Sequence, residues 1–273
     1  MKQVKINGAE INYTDHGSGE PIVFVHGVLE DYRTWEAQTN RFSKNYRVIS
    51  YSRRFNFPNK NTEQNNNFSA ITESEDLAEF IKQLKPGPVH LTGHSFGGLI
   101  SLFLTKKYPE LVQTLTLSEP ALISWLPRLK DGKILYKNFY DQLWNPVKQA
   151  FEVNDTQTVL KHILKYFAGE DIIETLPDEV KTQFLVNIPE WHAVVYSSDP
   201  FSDFKKEYFE EIKVPVLLLS GGQTLPIIKL TNKELRNTLP DAKSYHLAEG
   251  THDYWITNPA EMGDAVLKFL RSV

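Results

Sequence analysis

Apolar residues come in short bursts along this chain, and their spacing switches between two periods. Residues 21–25 read Pro-Ile-Val-Phe-Val, a continuous run of the length and character of a strand buried on both faces. Residues 46–51, 89–92, 112–117 and 214–219 repeat that character, and 243–247 reads as a further strand. The first stretch alternates instead, giving two short strands over about 3–6 and 10–15 that turn at Asn7-Gly8. Helical spacing appears over 69–84, through Ile71, Leu77, Phe80, Ile81 and Leu84, and again over 99–108, where Pro109 stops it. Two more helices are predicted near 230–239 and from Asn258-Pro259 onward. Strands alternating with helices predict a parallel sheet covered on both faces.

Two regions break this rhythm. Residues 56–67 are rich in Asn, Lys and Gln and read as a solvated loop. Residues 123–209 carry no good strand but several aromatic-rich helical stretches, with Trp125, Tyr140, Trp144, Phe151 and Phe167 among the rings. This predicts a helical cap, or lid, inserted over a core made of residues 1–122 and 210–273. Most of those rings should pack against one another, with a few lining a pocket.

Composition narrows the possibilities. The 273 residues are enough to bury a core without staples. With 30 Lys and Arg against 34 Asp and Glu, the net charge is −4, and there is no basic stripe of the kind nucleic acid needs. The absence of cysteine excludes disulfides, thiolate metal sites and cysteine nucleophiles. No apolar run reaches the ~18 residues of a membrane span, and the strand pattern after Met1 is not that of a signal peptide. The expectation is a cytoplasmic monomer or homodimer, in which the N-x-Ser/Thr triplets at Asn12, Asn67 and Asn154 arise by chance. No G-x-G-x-x-G, Walker loop or His-rich helix is present, so no metal or cofactor site is expected.

One motif carries chemistry. Gly93-His94-Ser95-Phe96-Gly97 is a G-x-S-x-G pattern, preceded at once by an apolar strand and followed by an apolar helix. That is the strand–turn–helix setting in which a serine is held in a strained turn with its hydroxyl exposed, small neighbours letting the backbone pass close. Ser95 is the predicted nucleophile.

On this motif, the strand order from Pro21 onward and the His26-Gly27 pair after the first buried strand, the chain resembles the α/β-hydrolase family. The resemblance implies a mostly parallel eight-stranded sheet covered by helices, with a helical lid insertion. It also implies an oxyanion hole made by the N–H groups of Val28 and Phe96, with His26 bracing the loop. The family's base follows the last strand, where Glu249-Gly250-Thr251-His252 stands, so His252 is the expected base. The rivals are His94, expected to point away, His246, inside a predicted strand, and His192, in the cap.

The triad acid departs from the family's common pattern. Ser220-Gly221-Gly222-Gln223-Thr224-Leu225-Pro226, where most members place an Asp, holds no carboxylate. Glu119, after the preceding strand, is the candidate acid, as in the haloalkane dehalogenases and some lipases of the superfamily. Asp199, Asp203 or no acid at all are the alternatives. The arginines and Asp31 near 31–54 are expected only to tie loops together.

The resemblance implies hydrolysis of a small, apolar ester, thioester or lactone through an acyl-Ser95 intermediate. Carbon–carbon bond hydrolysis, lyase or cofactor-free oxygen chemistry on the same triad is a second reading, and a non-catalytic ligand receptor a third. Dehalogenation is disfavoured by Ser95, Phe96 and Val28, which stand where dehalogenases carry an Asp nucleophile and halide-binding side chains.

Overall fold

A computed structural model describes residues 1–60 and 68–273. Among them, eight strands form one sheet: β1 (Lys2–Ile6), β2 (Ala9–His16), β3 (Pro21–Val25), β4 (Arg47–Tyr51), β5 (Val89–His94), β6 (Val112–Ser118), β7 (Val216–Gly221) and β8 (Lys243–Leu247). They lie in the order β1-β2-β4-β3-β5-β6-β7-β8. β2 pairs antiparallel with β1 and with β4, and every other pair is parallel. The expected mostly parallel eight-stranded sheet is therefore what the chain forms. Asn7 and Gly8 both take positive φ, as a two-residue hairpin turn requires.

Period-two alternation divides the core between the faces of the sheet. Ile22, Phe24 and Val48 point to one face, where α1 (Glu36–Phe42) and α11 (Pro259–Leu270) supply Phe42, Val266 and Phe269. Val23, Val25 and Ile49 point to the other, against α2 (Ala70–Leu84), α3 (Phe96–Lys107) and α9 (Pro226–Thr238). α3 is buried along nearly its whole length, which is why its sequence is apolar all round rather than striped. α2 opens on Ser69, whose hydroxyl accepts from Thr72 N–H, and ends where Lys85 turns left-handed.

Between β6 and β7 the chain forms α4 (Gly132–Phe139), α5 (Asn145–Glu152), α6 (Thr156–Ala168), α7 (Asp178–Leu185) and α8 (Ile188–Tyr196), with a π-helical turn over Tyr140–Trp144 joining α4 to α5. α10 (Tyr254–Thr257) follows β8. Asn187, just before α8, ties this helical segment to the loops beside β3 and β4: its amide donates to Asp31 Oδ2 at 2.8 Å and accepts from Phe57 N–H at 2.7 Å.

Two sequence readings need correction. Asn56, expected in a solvated loop, is completely buried, donating to Glu30 O and to Glu190 Oε2 at 2.8 Å each. Its polarity satisfies buried acceptors rather than water. Residues 61–67 of that loop, with the Asn67 triplet, lie outside the described residues. α1 has no apolar periodicity to announce it: its two large apolar anchors, Trp35 and Phe42, flank a run of mainly polar residues in which the buried position is the polar Gln38.

Candidate active site

Because β3 and β5 to β8 run parallel, their carboxyl ends open on one edge of the sheet, and the loops that leave them meet there. β5 ends at His94 and α3 begins at Phe96, so Ser95 alone turns the chain. It takes φ 52 and ψ −116, a conformation costing a non-glycine residue on the order of 1–3 kcal/mol. Small neighbours make the turn feasible. A Cβ on Gly97 would lie 2.6 Å from the His26 carbonyl oxygen and closer still to that of Val25.

Ser95 Oγ lies 3.0 Å from His252 Nε2, and His252 Nδ1 lies 2.6 Å from Glu119 Oε2. Glu119 is fully buried at φ 48, directly after β6. Its Oε1 accepts from Gly221 N–H at 2.7 Å, and its Oε2 also accepts from the Thr224 hydroxyl at 2.8 Å. The loop lacking a carboxylate thus supplies two donors to the carboxylate from the neighbouring strand. Ser95 and Glu119 turn side by side, joined by Ser95 N–H to Ser118 O at 2.8 Å and Ala121 N–H to Ser95 O at 3.0 Å. The Ser118 hydroxyl bonds Tyr254 Oη at 2.6 Å and accepts from Trp255 Nε1 at 2.8 Å, fixing the turn that follows His252.

The other candidates lie elsewhere. Asp203 pairs with Arg128, and Asp199 is exposed. His246 bonds Ser220 Oγ on β7, and His192 packs against Phe151 and Tyr196. His94 differs from expectation. Its ring lies 4.7 Å from that of His252, and its Nε2 bonds the His252 carbonyl oxygen at 3.0 Å. Its Nδ1 faces Glu30 at 3.3 Å. Burial disfavours charge on His94, but the Glu30 carboxylate outweighs it and leaves the pKa above its ordinary value. Burial likewise opposes charge on Glu30, yet His94 brings its pKa down to about 2.

The His26-Gly27 loop crosses directly over the serine: a Cβ on Gly27 would stand 3.1 Å from that of Ser95. Val28 follows, and Phe96, as the first residue of α3, has an N–H with no partner inside the helix. His26 Nε2 accepts from Arg53 N–H at 3.0 Å, so its Nδ1 carries the proton donated to Gly27 O at 2.8 Å. Burial, reinforced by the Arg53 charge, lowers the His26 pKa to about 3 and keeps it neutral.

Aromatic rings wall the site, and Ser95 is only 6% exposed. Phe96 stacks on Phe68 and meets the edge of Phe201, while Phe167, from α6, lies parallel to the His252 ring at 6.0 Å. Among the described residues, no group of three or more His, Asp or Glu side chains could hold a metal ion, and no helix is long and apolar enough to cross a membrane.

A serine in a tight strand-to-helix turn, hydrogen-bonded to a histidine and through it to a buried carboxylate at the carboxyl edge of such a sheet, is an arrangement shared with many hydrolases. The family model for the alpha/beta hydrolase fold matches residues 20–259, and the chain belongs to that family. It is 25% identical over 221 residues to an (E)-2-((N-methylformamido)methylene)succinate hydrolase from Acinetobacter baylyi, covering 79% of this chain and 76% of that one. The enol-lactonase from Burkholderia xenovorans superposes with a TM-score of 0.79 at 18% identity, over 99% of this chain and 100% of that one. An esterase from Exiguobacterium antarcticum gives 0.77 at 21%, over 98% of each.

Proposed function

We propose that the protein is a serine hydrolase that cleaves a small, apolar carboxylic ester, thioester or lactone through an acyl intermediate on Ser95. The observation that carries this reading is the unbroken chain from Ser95 Oγ through both ring nitrogens of His252 to Glu119. His252 Nε2 takes the hydroxyl proton as Ser95 attacks the carbonyl carbon, and returns it to the leaving oxygen or sulfur. Glu119 holds the Nδ1–H tautomer and stabilises the imidazolium while it lasts. The N–H groups of Val28 and Phe96 receive the developing oxyanion, each such donor being worth about 10²–10³ in turnover in comparable enzymes. Water activated by the same nitrogen then releases the acid and restores the serine.

The helical segment from 123 to 209 acts as a cap. Phe167 and Phe201 stand against His252 and Phe96, and rings of this kind favour an apolar acyl group over a charged one. Arg53, whose guanidinium lies over the Phe96 ring, is already paired with Glu190 and offers nothing to a substrate carboxylate. A fluorophosphonate should label Ser95, seen as a single modified peptide by mass spectrometry. Ser95→Ala should abolish the labelling and lower turnover of p-nitrophenyl acetate by about 10⁶. Residual turnover within tenfold of wild type would refute the assignment.

A further inference from the structure

Arg53 lies two residues beyond β4 and Glu190 on α8, and both side chains are fully buried and in direct ion-pair contact. A matched buried pair of this kind contributes little net stability and is strongly destabilising when one partner is removed. Its position suggests a second use. Arg53 Nη2 donates to Gly27 O at 2.8 Å and Nε to His26 O at 3.2 Å, and the guanidinium carbon stands 5.1 Å from the centre of the Phe96 ring. Glu190 Oε2 accepts from Leu29 N–H at 2.9 Å and from Asn56 Nδ2 at 2.8 Å. The pair therefore grips the two peptide units on either side of Val28.

That grip sets the direction of one N–H. A trans peptide is planar, with its C=O and N–H pointing opposite ways. Arg53 and His26 together hold the Gly27 carbonyl on their side, which turns the Val28 N–H of the same peptide to the other side. Glu190 holds the next peptide by its N–H, so the Val28 carbonyl is directed away as well. Leu29 sits at φ 62, a left-handed conformation unfavourable for leucine, and its N–H bond to Glu190 offsets that cost. Without the grip, glycine at 27 makes a flip of the Gly27–Val28 peptide inexpensive, and a flip would present a carbonyl oxygen where an oxyanion must sit. A second carboxylate, Glu73, lies 3.6 Å from Arg53 Nη1, on the opposite prong of the fork from the Nη2 that holds Gly27 O and Glu190.

We infer that Glu190 is a positioning residue: a carboxylate from the helical segment that, with Arg53, aims the Val28 N–H and so makes a working oxyanion hole conditional on α8 being seated. This rests on the reading of Ser95 as an acylated nucleophile. It predicts a defect that falls on the transition state alone. Glu190→Gln keeps the shape but leaves Arg53 without its contact charge and weakens the hold on Leu29. Its kcat for p-nitrophenyl acetate should fall about 30- to 100-fold, approaching the roughly 10²-fold lower edge of the cost of losing one oxyanion donor outright, with KM within threefold of wild type. The inhibition constant of a trifluoromethyl ketone, whose adduct carries the oxyanion, should rise by the same factor. The pH profile of kcat should stay unchanged, since the Ser95–His252–Glu119 chain is not touched.

Arg53→Lys keeps the buried charges matched but has no planar fork to span the two carbonyls, and it should show the same pattern at about tenfold. It carries the test if Glu190→Gln does not fold. A loss confined to KM, or a ketone inhibition constant within threefold of wild type in a folded variant, overturns the inference. Wild-type enzyme that a fluorophosphonate does not label overturns the nucleophile reading and this inference with it. Wild type that labels, alongside variants that turn over at wild-type rate, overturns this inference alone.

Discussion

Thr224 bears on the proposed assignment of Glu119 as the acid. Its hydroxyl is 2.8 Å from the Glu119 oxygen that also bonds His252 Nδ1, so a side chain from the loop after β7 already reaches the Glu119 end of the Ser95–His252–Glu119 chain. Most members of the family carry their acid on that loop, and here the loop donates to a carboxylate from the adjacent strand instead. Glu119→Gln should lower kcat for p-nitrophenyl acetate by about 10⁴, because the amide favours the wrong tautomer and leaves the imidazolium unpaired. Adding Thr224→Asp to that variant should restore a carboxylate beside Nδ1 and recover at least about tenfold of the loss. Both effects are read from steady-state kcat, and a Glu119→Gln enzyme near wild-type rate would refute the acid assignment.

At the scale of elements, the turn from β5 into α3 depends on close backbone approach. Gly97→Ala would drive a methyl into the carbonyl oxygens of Val25 and His26, and neither backbone atom can move without shifting β3. The variant should lose more than about 3 kcal/mol or fail to fold, measured as a fall in denaturation midpoint at unchanged m-value. This turn was legible in the sequence because its chemistry and its sterics demand the same residues within five positions. The strands were legible for a related reason: β3, β5 and β6 are buried on both faces, and their apolar runs need no partner to be recognised. Arg53, Glu190 and the Glu30–His94 pair were not. Each gains its meaning from a group on a distant element, as Glu190 does from Leu29, and no local pattern marks a glutamate whose partner lies so far away in the chain.

Over the whole molecule, the pair of Glu30 and His94 links stability to pH. Glu30 has its pKa lowered from 4.5 to about 2, so its contribution is full above 4.5 and is lost as pH falls toward 2. The His94 pKa is raised from 6.5, so its contribution is full below 6.5 and is lost as pH rises through the higher folded value. Between these limits the wild type exchanges no proton at either group on folding. Glu30→Gln removes the partner, and folding must then strip a proton from a buried His94. Its Tm should fall behind that of the wild type by an additional ~5 °C as pH is lowered from about 7.5 to 4.5, measured by thermal unfolding at each pH. A gap that does not change with pH would contradict the pairing.

The side-by-side turns of Ser95 and Glu119 bear on how the enzyme comes into being during synthesis. Both directly follow adjacent parallel strands and are tied together by the Ser95–Ser118 and Ala121–Ser95 hydrogen bonds, so the two groups can be in register while the helical segment is still on the ribosome. His252 follows β8, and its ring reaches the pair only once β7 and β8 have been added beside β6. On the proposed mechanism, a growing chain would carry a hydroxyl and a carboxylate that cannot yet react, because His252 is translated after both. Activity should appear abruptly when the eighth strand docks, and unfinished chains should remain inert toward the esters around them.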